Sequence, residues 1–74
     1  MNNDRRELIK EALDHVEQAK NLLEAAKDEE QECFDNMPEG LQQSERGCQM
    51  EENVSTLESA IDALDEAVSG LEDL

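Results

Sequence analysis

The sequence predicts an all-α fold: an antiparallel, coiled-coil-like hairpin of two long helices that pairs with a second copy into a four-helix bundle. Three observations carry this expectation. From Met50 onward the apolar residues fall at Met50, Val54, Leu57, Ile61, Leu64, Val68 and Leu71, in alternating steps of four and three. That is the heptad spacing of a helix burying one seam. In the first half Ile9, Val16 and Leu23 recur every seven residues, and the series runs on through Glu30 to Met37. Between the halves stands the only Pro, within Asn36-Met37-Pro38-Glu39-Gly40, the densest turn chemistry in the chain. Residues 1–74 thus read as one domain, with a helix over about 4–36, a turn over 37–43 and a helix over 44–73.

The first helix opens at Asp4, an N-cap whose side chain can accept from the first free amides, with Glu7 completing a capping box. Three positions after each seam residue stand Ala12, Ala19, Ala26 and Cys33, small enough to let a neighbouring helix approach closely. Leu8, Leu13, Leu22 and Phe34 widen the apolar stripe. The residue before a Pro is biased away from the α region, so this helix ends near Asn36 or Met37. Pro38 opens a single helical turn through Gln43. Ser44 then caps the second helix, with Glu45 in its first turn favourable to the helix dipole.

A hairpin requires facing residues whose numbers have a constant sum, and 80 satisfies both seams. It sets Ile9 on Leu71, Val16 on Leu64 and Leu23 on Leu57, with Ala12, Ala19 and Ala26 on Val68, Ile61 and Val54. One flank then pairs Arg6 with Glu72, Lys20 with Glu58 and Lys27 with Glu51, using three of the six basic residues. The other flank is apolar: Leu8 beside Leu74, His15 beside Ala67, Leu22 beside Ala60. Two helices bury little surface and a domain this small is marginal alone. This edge is therefore expected to meet a second copy. The rival architecture is a parallel dimer through the second helix, which leaves the alanines of the first unexplained.

Six Lys and Arg against 21 Asp and Glu give a net charge of −15, and Phe34 is the only aromatic residue. Direct nucleic-acid binding is not expected, because phosphate contacts need clustered basic residues. No apolar run exceeds two residues, so neither a membrane span nor a signal-peptide core is expected. His15 is the only His. On a helix flank it reads as an exposed or interfacial residue, not a general base, which needs a cleft and a substrate shell. Cys33 and Cys48 are too far apart for a CxxC motif and lack further zinc ligands, so free thiols, no metal and no cofactor are expected. A disulfide between them, closing a loop of about 15 residues, is the alternative. Phe34, Met37, Leu41 and Met50 read as an apolar cap over the turn, and Glu30 as a hydrated seam position opposite Met50. Gly47 costs its helix about 1 kcal/mol and is expected to permit close packing against Cys33, while Arg46 ties the turn to Asp35 or Glu39.

The stretch Phe34-Asp35-Asn36-Met37-Pro38-Glu39-Gly40-Leu41-Gln42-Gln43-Ser44-Glu45-Arg46-Gly47, with the acidic repeat after it, is similar to a motif of small acidic helical proteins found in phages and in bacteria carrying mobile elements. Their pattern reads FDN-x-P-x-x-LQ-x-SERG followed by an acidic residue, and the similarity covers roughly residues 28 to 70. Here Cys48 takes the acidic place and Cys33 that of a small residue, which argues against a shared role for the thiols. The resemblance implies a phage or mobile-element origin and a bacterial cytoplasm. Two non-enzymatic functions are consistent with these features. One is an inhibitor that occupies a basic surface of a host protein through an acidic face comprising Glu24, Asp28, Glu32, Glu52, Asp62 and Glu66. The other is a coiled-coil module that oligomerises or docks a partner helix.

Overall fold

The computed structural model describes residues 1–74 as three helices: α1 (Asn3–Asp35), a single turn α2 (Glu39–Gln42) and α3 (Glu45–Glu72). α1 packs against α3 in a hairpin 58 Å long and 15 by 13 Å across. No helix is long and apolar enough to cross a membrane. The N-cap is Asn2 rather than Asp4: the Asn2 side chain accepts from the Arg5 amide at 2.9 Å. The cap therefore lies two residues earlier than expected, and Asp4 falls within the first turn, where its charge suits the positive end of the dipole. Ser44 caps α3 as expected, accepting from the Gly47 amide at 3.3 Å, and Pro38 opens α2.

On α3 the buried or half-buried residues include every member of the expected seam, Met50 through Leu71. Gly47 extends it, one step of three before Met50, and is itself buried. On α1 the expectation needs correction. The residues turned toward α3 are Ile9, Leu13, Val16, Lys20, Leu23, Lys27, Glu30 and Phe34, with Met37 just past the helix end, all half-buried, whereas Ala12, Ala26 and Cys33 are exposed and only Ala19 is partly covered. The alternate layer thus sits one residue on from the alanine series. Leu13 and Phe34 bring far more apolar surface to the seam than Ala12 and Cys33, at about 25 cal/mol per Å². Lys20 and Lys27 lay their methylene stems along it and carry their charge to the rim.

The register shifts with it. Two hydrogen-bonded pairs link the long helices: Asn53 Nδ2 donates to Glu30 Oε2 at 2.8 Å, and the Lys20 ammonium bonds Asp65. Their numbers sum to 83 and 85, which makes the helices antiparallel but about one helical turn out of the expected register. Lys20 consequently meets Asp65 and not Glu58, with Glu17 at 4.0 Å on its own helix. Neither Arg6 with Glu72 nor Lys27 with Glu51 forms an ion pair; Arg6 Nε instead donates to the Met1 carbonyl at 3.3 Å. A sum of 84 faces Leu13 with Leu71, Val16 with Val68, Leu23 with Ile61 and Phe34 with Met50. The bond to Asp65 raises the Lys20 pKa above the ordinary 10.5, outweighing the opposing effect of desolvation. Because the folded value lies above the unfolded one, the stabilisation is fully present below about pH 10 and is lost only as pH rises through the raised value.

Glu30 occupies a seam layer opposite Val54 and is partnered by Asn53 rather than merely hydrated. A single polar residue in a seam sets register at a cost in stability. Glu30→Leu is therefore expected to raise stability by about 1 kcal/mol while loosening the helix alignment. Thermal melts followed by circular dichroism check the first effect. Cross-helix amide contacts in NMR spectra check the second.

Candidate interaction surfaces

The core is thin. Only Gly47, Val54, Ile61 and Val68 are buried, so the surfaces of the hairpin comprise most of the molecule. At 100° per residue the two flanks of the seam differ sharply. One flank carries the Lys20–Asp65 pair together with Glu17, Glu24, Asp28 and Asp62. The six residues of the expected acidic face are all exposed, yet they do not form one patch. Glu24, Asp28 and Asp62 share the ion-paired flank, whereas Glu32, Glu52 and Glu66 lie further round, toward the backs of their helices. The carboxylates cover the ion-paired flank and the backs of both helices.

The opposite flank is apolar. Rotation of the seam by one residue releases Ala12, Ala26 and Cys33 to the surface, where they interleave with Leu8, His15 and Leu22 in steps of four and three. Leu8 is 67% and Leu22 73% exposed. α3 supplies Ala67 and Leu74 in the open and Ala60 half-covered. That both stripes lie on one side is seen where Ala26, Glu29 and Cys33 share a shallow groove with Asn53 and Thr56. All six residues of the expected oligomer edge thus lie on this flank. The interleaved alanines beside them were assigned by sequence to the seam. His15 stands in this stripe away from any cleft, one turn from Glu11.

At the closed end Met37, Leu41 and Met50 line a groove with Cys33, Pro38 and Arg46. Leu41 is 53% exposed, so the expected cap is open on one side, and Phe34 belongs to the seam beneath it. Arg46 faces this groove and pairs with neither Asp35 nor Glu39. Gln42 Nε2 donates to the Phe34 carbonyl at 3.1 Å, and the Ser44 hydroxyl bonds the Leu41 carbonyl, tying α2 to both long helices. Gly47 packs on this turn rather than on Cys33: a Cβ there would meet the carbonyls of Gln42 and Leu41. Cys33 and Cys48 are free and exposed. Their helical phases set them on opposite flanks of the hairpin, which accounts for the absence of a disulfide. No group of three or more His, Cys, Asp or Glu side chains is arranged to hold a metal ion.

Comparison of the chain with protein-family models, curated proteins and solved structures returned no match.

Proposed function

We propose that this chain is a non-enzymatic acidic interaction protein that occupies a basic surface of another protein in place of nucleic acid. The observation that carries this reading is the state of its carboxylates. Of 21 acidic residues only Glu30 is even half-buried, and only Glu17 and Asp65 meet a basic side chain. Fifteen net negative charges along 58 Å amount to one per about 4 Å, against one per about 3.4 Å for a single nucleic-acid strand. Held on rigid helices, such a field steers encounter with a basic groove and raises the on-rate. The FDNMPEGLQQSERG resemblance supports a phage or mobile-element origin, with a nuclease, polymerase or defence complex of the bacterial host as the class of target.

A second reading has its own observation. The exposed flank of Leu8, Leu22 and Leu74 supports a structural module that associates through apolar contact, its charge serving solubility. Salt separates the two, since exposed charge–charge attraction is screened within about 10 Å at 0.1 M ionic strength. A tagged copy incubated with bacterial lysate and eluted along a salt gradient is expected to release a nucleic-acid-handling protein at moderate salt. A short DNA oligonucleotide should displace the same protein. Retention through high salt, with no displacement by DNA, would overturn the mimicry reading in favour of the structural one.

A further inference from the structure

The accessible surface of the hairpin is 5592 Å². A compact monomer of 8.3 kDa exposes about 4,600 Å². The excess of roughly 1,000 Å² exceeds the ~800 Å² that each partner contributes to a stable interface. The excess comes with an apolar flank already formed, and the occupant of that flank can be read from its spacing.

We infer that the apolar flank is closed by a second copy of this chain, α1 lying antiparallel on the partner's α1 about a two-fold axis near position 17. In an antiparallel pair the facing residues again have a constant sum, and 34 brings the outer stripe of α1 into register with itself. Leu8 then meets Ala26 of the partner subunit, Ala12 meets Leu22 of the partner subunit, and His15 meets Ala19 of the partner subunit. Each large side chain faces a small one, as close helix packing requires. A different partner would give no reason for the stripe to complement itself under a two-fold.

Charge agrees with size. Beside this stripe, away from α3, stand Glu11, Gln18 and Ala25. On this flank the nearest partners sum to 36, an offset of about 3 Å along the helix, so the same axis places Gln18 near its own copy and Glu11 near Ala25 of the partner subunit. In a chain with 21 acidic residues, the middle of this contact sets no carboxylate against another. The hairpin register carries the axis from position 17 of α1 to Ala67 of α3, where Ala60 comes toward Leu74 of the partner subunit, again small against large.

The axis lies close to the middle of α1, so the two rods overlap along most of their length. Thirty net charges on about the same 58 Å give one per about 2 Å, near the one per 1.7 Å of duplex DNA. This consequence rests on the mimicry reading and selects duplex-binding grooves over single-strand ones. The dimer itself does not rest on that reading.

Light scattering on the purified chain, with no target present, tests the dimer separately from the mimicry. A mass of twice 8.3 kDa is expected, and a monomer at micromolar concentration would overturn the inference. Leu8→Glu with Leu22→Glu is expected to halve the mass; an unchanged dimer would mean that another face is used. Cysteine placement supplies a check that does not depend on whether that variant keeps its fold. In a Cys33→Ser, Cys48→Ser background, Gln18→Cys should oxidise to a covalent dimer, as should Glu11→Cys combined with Ala25→Cys. Efficient linkage by Ala25→Cys alone would contradict the axis.

Discussion

Gly47→Ala is expected to destabilise the hairpin by about 1–3 kcal/mol, although Ala is favoured over Gly in a helix by about 1 kcal/mol. The new Cβ would stand 2.6 Å from the Gln42 carbonyl carbon and 2.8 Å from the Leu41 carbonyl oxygen. These are backbone atoms of a turn held by bonds from the Leu41 amide to the Pro38 carbonyl at 2.8 Å and from the Ser44 amide to the Leu41 carbonyl at 3.0 Å. They have no rotamer by which to move aside, so the turn must lift off α3. Gly70→Ala supplies the control. Nothing lies within 4 Å of a Cβ at that position, so the same substitution should stabilise, by up to about 1 kcal/mol. Urea melts of the two variants should therefore move in opposite directions. Equal shifts would show that the turn is not seated on Gly47.

The second large effect is expected at Ile61, the least exposed side chain of the seam at 7%. Ile61→Ala should cost about 2–5 kcal/mol, comparable with the few kcal/mol that a domain of this size commonly has. Most of the chain should then be unfolded at 25 °C, with loss of the helical circular dichroism signal. Ile61→Val, removing one methylene, should cost about 0.5–1.5 kcal/mol and keep the helices. Full helicity in Ile61→Ala would mean that the α1–α3 seam is not what holds the molecule together.

Most of α3 and the turn were legible in the sequence because their determinants are local. Apolar steps of four and three name a seam without reference to any partner, and Pro38 and Ser44 act on their own neighbours. The phase of α1 was not legible in the same way. Its seam passes through Lys20, Lys27 and Glu30, and a count of apolar residues alone prefers the alanines beside them. Treating a lysine stem as apolar surface would have recovered the run from Ile9 to Lys27 in unbroken steps of four and three, with Glu30 as the one polar layer before Phe34 and Met37. The register error follows from the phase error, since pairing alanines with β-branched residues favoured a sum one turn too small. Gly47 carried a signal of its own, three residues before Met50 in the α3 series. For the candidate surfaces, the exposure of the carboxylates and of Leu8 and Leu22 was readable from composition and pattern. Their sorting around the rod was not, because it depends on which way α1 faces.

The thinness of the core has a calorimetric consequence. The heat capacity change on unfolding reports newly hydrated apolar surface, and an average chain of 74 residues shows roughly 1 kcal/mol/K. With four buried residues, a single hairpin exposes little that was not already wet, and its value should fall well below that. For a lone hairpin the stability curve is then shallow, with structure lost gradually on warming, whereas the inferred dimer, whose apolar flank is covered, should show a larger heat capacity change and more curvature. A steeply curved dependence on temperature would instead report surface covered by something besides the hairpin's own two helices.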